Sequence, residues 1–372
     1  MHILITVNAA WNVWNFRRPI VEALITDGHN VTVLAPADES VANLEGIGCR
    51  FISLDMNVKG LNPLEGLKLM QQFKMTFRDE RPDVVLSYTI KNNIFGAMAA
   101  KACNISFIPN VTGLGTAFLS IGLLQTVAEL LYRKAFGSLS CVFFQNADDS
   151  DLFLKRRLVQ ESQVHLLPGS GIDLDYFAVS VYPTQIELPT FLMIARLMRD
   201  KGIIEYVEAA RLVKVRWPHA RFQLLGAFDT ANWTAIDAVT VQSWHDEGTI
   251  EYLGSTDDVR PFIAASHCVV LPSYREGAPR TLIEAAAMAR PLIATDVPGC
   301  RSVVEDGTTG LLCEARSSKS LAATCLSFLG LSRNEGFAMG RAGRVKMEVE
   351  FDQSIVVEAY RDAISSAIAN QI

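Results

Sequence analysis

The stretch YREGAPRTLIE, Tyr274 to Glu284, sets two glutamates, Glu276 and Glu284, eight positions apart around a Gly-Ala-Pro corner. Acids near a helix N-terminus interact well with its dipole, so a solvated first turn is the plainest account of them. The neighbours allow more chemistry. Pro279 suits a first helical position, where no amide donor is needed. Gly277 and Ala278 then leave backbone amides at the helix start, a ready anion site, and Arg280 adds a cation. Glu284 lies beside Leu282, Ile283 and the run AAAMA, where a buried carboxylate needs donors such as the hydroxyls of a ligand. A ribose offers two adjacent hydroxyls that a carboxylate can bridge. Glu276, ahead of the helix, would then meet a sugar at the other end of a diphosphate.

A second cluster follows the apolar run FLMIA: in RLMRDKG, Arg196 and Lys201 lie five apart at a strand-to-helix turn. Arg as a fork and Lys as a point charge can meet a diphosphate, although an exposed Arg and Lys before a helix are commonplace. Near the N-terminus the loop NAAWNVWNFRRP offers Asn8, Asn15 and Arg17 beside Trp11 and Trp14, groups able to grip sugar hydroxyls. Packing against the helix that follows is at least as good an account of Trp14 and Phe16. That loop has no glycine, so the GxGxxG of a dinucleotide fold is missing, and no GxxxxGK[ST] occurs anywhere.

These corners must be positioned by regular elements. Apolar runs of strand length alternate with helical patterns: HILITV, NVTVLAP, RFISLD, DVVLSYT, SFIPNVT and CVFFQN, then TFLMIARL, RFQLLGAF, IEYLGS, CVVLPSY and PLIATDVP. Continuous apolar strands followed by helices imply parallel sheets covered on both faces. The 372 residues are enough for two cores. We expect a doubly wound α/β domain over 1–175, a linker over 176–190 with Pro183 and Pro189, a second such domain over 191–352, and a helix over 353–372 that packs back on the first. Ligands of open parallel sheets bind beyond the carboxyl ends of the strands, so the site is expected in a cleft between the two domains.

Composition narrows the classes. Apolar residues make up 49% and charged residues 20%, a globular balance, and a net charge of −6 argues against nucleic acid as a partner. The seven cysteines are scattered without CxxC spacing and read as buried thiols of a reducing cytosol. The N-terminal run reads as a first strand, not a leader. No run reaches the ~18 uninterrupted apolar residues of a spanning helix, so any membrane contact would be peripheral. Residues 117–134 are apolar and then basic, ending in Arg133 and Lys134; a buried helix and an interfacial one are equally compatible with that pattern.

Together, EGAPRTLIE and ARLMRDKG resemble the E-x7-E and Arg…Lys-Gly elements of the family-4 glycosyltransferases of GT-B fold. IEYLGSTDDV, with Gly254, resembles their loop near the donor base, and DVPGCRSVVEDGTTGLL the strand and loop that follow. In the first half, NVWNFRRPIVEAL, SYTIKNNIFGAMAA, NVTGLGTAF and VFFQNADD are similar to a branch that adds amino sugars to undecaprenyl-diphosphate-linked glycans, including N-acetylgalactosaminyltransferases acting on lipid-linked diacetylbacillosamine. The resemblance implies two Rossmann-like domains and retaining transfer from a UDP-sugar, with no metal and no cofactor. Arg196 and Lys201 would stabilise the leaving diphosphate, Glu276 the donor sugar beside Gly277, Ala278 and Pro279, and Glu284 the ribose. Asn8, Asn15, Arg17, Lys91, Thr112 and Gly113 would meet a polyprenyl-diphosphate-linked sugar as acceptor, at the inner face of the plasma membrane.

One departure stands out: many family members place a histidine of the first domain near the anomeric centre, and NVTGLGTAF has none, so backbone and side-chain groups of Thr112 to Thr116 are the candidates there and no general base is assigned. A UDP-GlcNAc 2-epimerase-like enzyme and a non-catalytic scaffold of a glycan-assembly complex are the rival readings. The first would use the donor without an acceptor, and the second would lack transfer.

Overall fold

The computed structural model describes residues 1–57, 63–114, 123–184, 188–229 and 234–369. Its chain divides into two compact units, Met1–Gly171 with Gln353–Ile372, and Ile172–Asp352.

Among the described residues the first unit has seven strands: β1 (His2–Thr6), β2 (Asn30–Ala35), β3 (Arg50–Ser53), β4 (Val84–Tyr88), β5 (Ser106–Val111), β6 (Val142–Phe144) and β7 (Val164–Leu166). All pair in parallel in the order β3-β2-β1-β4-β5-β6-β7. β1 and β4 are apolar along almost their whole length because both faces are covered. One covering layer gathers Val13, Val21 and Leu24 with Val356, Tyr360 and Ile364 of the helix Gln353–Ala369. The other gathers Phe73, Phe77, Ala97, Tyr132, Phe136 and Phe153.

Among the described residues the second unit has six strands: β8 (Thr190–Ile194), β9 (Arg221–Leu225), β10 (Glu251–Tyr252), β11 (Cys268–Leu271), β12 (Leu292–Thr295) and β13 (Gly310–Cys313). They too are all parallel, in the order β10-β9-β8-β11-β12-β13. Two layers again cover the sheet, one around Tyr206, Val213, Phe222 and Phe328, the other around Leu282, Ala286, Val303 and Met347.

Three features differ from the sequence expectation. β7 and β13 were not among the expected strands: β7 is three residues long with an exposed Leu166, and β13 begins on glycine. The stretch 176–190, expected to be a linker, is counted with the second unit, where Phe177 and Tyr182 are buried; residues 185–187 of it lie outside the described ones.

The anchor of that stretch is Arg290, which is 0% exposed. Its guanidinium donates to Ser180 Oγ (2.8 Å), Val181 O (2.7 Å), Ala264 O (2.8 Å) and Ile263 O (3.1 Å). Burial pulls this side chain down to about 10, which still leaves it charged at neutral pH.

Candidate functional site

Strand order locates the site in each unit. In the second sheet β8 and β11 are neighbours, but the chain proceeds from β8 toward β9 and from β11 toward β12, on opposite sides. The loops after β8 and β11 therefore part at the carboxyl end of the sheet, where a doubly wound fold leaves a crevice. Arg196 and Lys201 lie on the first loop, Glu276, Gly277 and Ala278 on the second.

The two loops are locked together by backbone. Lys201 closes a 3-10 turn, Arg199–Lys201, and Gly202 then adopts the left-handed conformation, φ +77°. A Cβ there would come within 2.0 Å of Pro272 O, so only glycine lets the loops approach this closely. Tyr274 N donates to Asp200 O (2.9 Å) and Ser273 Oγ to the same carbonyl (3.2 Å). The loop after β12 supports the other flank: Glu276 N donates to Pro298 O at 3.3 Å, and a Cβ on Gly299 (φ +81°) would stand 2.6 Å from the carbonyls of Glu276 and Gly277.

This framework brings Lys201 Nζ to 2.5 Å from Glu276 Oε1, two side chains 75 positions apart in sequence and each mostly buried. Arg196 is more open, with its side chain 61% exposed, and pairs with Asp229 at 2.9 Å. Gly226 touches the same rim: its amide donates to Gly254 O (2.7 Å), and a Cβ on it would collide with Ala195 O at 1.8 Å. Gly254 itself has φ +76° and open space where a Cβ would be.

The helix Arg280–Ala287 starts one residue later than the sequence suggested. Pro279 is its N-cap, with φ −74° and ψ 98°, and no side chain caps the first turn. The pyrrolidine still removes one amide that would lack a partner, and the loop before it carries Gly277 and Ala278. Thr281 Oγ1 ties the helix to Ile194 O at the end of β8 (3.1 Å). Glu284 is buried as expected, but a ligand is not needed to satisfy it: Arg280 Nε donates to its Oε1 at 2.7 Å. Burial pushes the Glu284 carboxyl above the usual range, opposed by the Arg280 charge and hydrogen bond. The i,i+4 spacing was the signal for this pair in the sequence.

In the first sheet the corresponding switch lies between β1 and β4. Asn8 follows β1, and Lys91 opens the helix Ile90–Cys103 after β4. The two strand ends are bridged by Asn92, whose Nδ2 donates to Thr6 Oγ1 (2.8 Å) while its Oδ1 accepts from Thr89 Oγ1 (2.9 Å). Lys91 Nζ donates to Asn57 O, and burial lowers its affinity for the proton, with Glu65 opposing. Thr112 and Gly113 follow β5, Gly113 with open space where a Cβ would stand; Gly115 and Thr116 lie outside the described residues.

Asn15 donates to Trp11 O within its own helix at 2.9 Å. Arg17 is placed differently from the expectation that it grips a ligand: it is only 4% exposed, 4.4 Å above the ring of the buried Tyr88, and donates to Phe16 O. Trp14 packs on the core, as the plainer reading had it, with Arg18 over its ring at 5.0 Å.

The helix Leu123–Phe136 buries one face and exposes the other. Ala128, Tyr132 and Phe136 are buried in the core, while Val127, Leu130, Arg133 and Lys134 are exposed. The earlier residues of that stretch, 117–122, lie outside the described ones. No helix among the described residues is long and apolar enough to cross a membrane.

Two parallel-sheet units, each with polar side chains gathered at its switch point, form the architecture of the GT-B glycosyltransferases. The family model "Glycosyl transferase 4-like domain" matches residues 13–169 and "Glycosyl transferases group 1" matches 188–330. The chain belongs to the family-4 glycosyltransferases.

Over the full length of both proteins it is 26% identical to the N,N'-diacetylbacillosaminyl-diphospho-undecaprenol alpha-1,3-N-acetylgalactosaminyltransferase of Campylobacter jejuni. It is 25% identical to the UDP-Gal:alpha-D-GlcNAc-diphosphoundecaprenol alpha-1,3-galactosyltransferase of Escherichia coli, covering 72% of this chain and 69% of that one. Among solved structures, sucrose-phosphate synthase from Thermosynechococcus elongatus superposes with a TM-score of 0.81 at 20% identity, over 98% of this chain and all of that one. HepE of Anabaena, in complex with UDP and glucose, gives 0.78 at 18% identity with the same coverage.

Proposed function

We propose that this glycosyltransferase moves an N-acetylhexosamine, GalNAc before others, from a UDP-sugar to a polyprenyl-diphosphate-linked sugar with retention of configuration. The observation that carries the reading is the Lys201–Glu276 pair at the switch point of the second sheet, bracketed by Arg196 and the start of the Arg280–Ala287 helix. The full-length likeness to an enzyme named for the same transfer supports the choice of sugar and acceptor.

As UDP departs, the bond from the anomeric carbon to the phosphate oxygen breaks and negative charge grows on the diphosphate. Lys201, Arg196 and the amides of Gly277 and Ala278 stabilise that charge, the service a preorganised set of donors gives a transition state without a metal. Glu276 accepts from hydroxyls of the donor sugar, Glu284 from the ribose, and Gly254 leaves room for the base. The acceptor oxygen bonds to the anomeric carbon and its proton passes to the departing phosphate, so no separate base is required. Asn8, Asn15, Lys91, Thr112 and Gly113 bind the acceptor, with Arg17 beneath them as a support.

We infer further that the Leu123–Phe136 helix lies against the anionic inner face of the plasma membrane, a reading supported by the exposed apolar Val127 and Leu130 beside the exposed basic Arg133 and Lys134. Vesicle flotation tests this part: binding should need anionic lipid and fall with Arg133→Glu plus Lys134→Glu. Binding unaffected by either change refutes it.

A panel of UDP-sugars offered to lipid-diphosphate-linked monosaccharides, with product linkage read by NMR, tests the function. UDP-GalNAc should be consumed only when acceptor is present, and Lys201→Ala or Glu276→Ala should lose transfer. Wild-type rates in those variants refute the site, and conversion of UDP-GlcNAc without acceptor refutes the reaction.

A further inference from the structure

Tyr274 contacts neither of the charge pairs above, yet three loops of the second unit meet on it. Its hydroxyl donates to Glu205 Oε1 at 2.7 Å, its amide donates to Asp200 O at 2.9 Å, and the guanidinium of Arg316 stands 4.7 Å from its ring centre. Glu205 lies in the first turn of the helix Ile203–Lys214, three residues after Gly202, and Arg316 lies just beyond β13. The other carboxylate oxygen, Glu205 Oε2, is buried and has no hydrogen-bond partner, so among the described residues the phenol is the one donor that side chain has. Such an acid is costly to leave without its donor. Burial and the neighbouring Glu205 push the phenol up to about 12, so the hydroxyl keeps its proton and continues to donate.

We propose that Tyr274 is a positioning residue for the donor site. Its bond to Glu205, together with the Arg316 guanidinium over its ring, fixes the 272–279 loop against the 199–205 turn at the spacing that sets Glu276 beside Lys201. The inference rests on the reading of Lys201 and Glu276 as donor-binding groups. Tyr274 acts through these two and does not touch the nucleotide itself. Backbone contacts hold Gly202 against Pro272, Tyr274 N on Asp200 O and Glu276 N on Pro298 O; the Tyr274 side chain adds a tie from this loop to the helix that follows Lys201.

The experiment measures UDP affinity by calorimetry, and the melting temperature, on the full chain as wild type, Tyr274→Phe, Lys201→Arg and the double variant. Lys201→Ala serves as a separate check on the donor site. Tyr274→Phe should weaken UDP binding about tenfold, and the double variant should be no weaker than Lys201→Arg alone, because groups acting as one unit couple. Adding Glu205→Gln to Tyr274→Phe should recover the melting temperature, by removing the undonated charge, without recovering UDP affinity. Two results overturn the proposal: wild-type affinity in Tyr274→Phe, or losses that simply multiply in the double variant, as a general loosening of the fold would give. If Lys201→Ala binds UDP like wild type, the donor-site reading falls and Tyr274 with it. If Lys201→Ala is weak and Tyr274→Phe is not, Tyr274 falls alone.

Discussion

Replacing Gly202 with alanine tests whether the close approach of the two loops sets the site. The native φ of +77° costs an alanine about 1 kcal/mol. The same strain arises at Gly307, φ +75°, where nothing lies within 4 Å of the added Cβ. At Gly202 the Cβ instead meets Pro272 O at 2.0 Å, and that carbonyl must retreat by about 1.4 Å to reach ordinary contact at 3.4 Å. Forcing a packed segment apart costs a further ~1–3 kcal/mol. Gly202→Ala should therefore lose roughly 2–4 kcal/mol and Gly307→Ala about 1 kcal/mol, read as shifts in urea unfolding midpoints. Pro272 begins the segment that carries Glu276, so the displacement also opens the 2.5 Å pair with Lys201. A misplacement on the order of 1 Å costs on the order of 10²-fold in rate. Transfer by Gly202→Ala should fall by that factor while Gly307→Ala stays near wild type. Equal stability losses in the two variants, with transfer retained in both, would refute the steric reasoning.

Three further outcomes are expected. Glu284 has a raised proton affinity in the folded chain, so the native state holds more protons than the unfolded one and stability falls as pH rises above the ordinary glutamate range. Glu284→Gln should flatten that decline and be at least as stable as wild type at pH 7, while its UDP affinity drops; urea titrations at several pH values and calorimetry read both. Arg290→Met strands the carbonyls of Val181, Ile263 and Ala264 and should cost about 3–5 kcal/mol in the urea midpoint, with far smaller loss for an exposed arginine such as Arg18. Arg17→Leu should lower stability by removing the cation above Tyr88, and its acceptor KM should rise without change in donor KM; a purely surface contact would leave the unfolding midpoint unmoved.

The strands that carry the sites were legible because both faces of each sheet are covered, which writes β1, β4, β8 and β11 as unbroken apolar runs. β7 and β13 escaped because three or four residues at a sheet edge leave no such run. Arg196, Lys201 and Glu276 could be found because loops after apolar strands are where such folds bind ligands. Their partners could not: Asp229 lies 33 residues from Arg196, and Glu205 lies 69 from Tyr274, and no local period links such positions. Arg17 was misplaced because a cation next to tryptophans and asparagines reads as surface chemistry, whereas its companion is a buried tyrosine on another strand. Arg290 follows an alanine-rich helix and gave no hint that two of its acceptors, Ser180 and Val181, lie 110 and 109 residues earlier.

The division of the chain bears on its synthesis. Residues 172–352 form one unit as an uninterrupted stretch, so every strand of the second sheet exists before residue 353 is made. The first unit is interrupted: its seven strands are complete by Leu166, but Val356, Tyr360 and Ile364 of its core arrive only after the whole second unit has been translated. Until then Tyr88 and Phe143 lack the tyrosine ring they pack against. The domain begun first is thus the one finished last, and the face that the helix Gln353–Ala369 covers is without that helix until the intervening 181 residues have been translated.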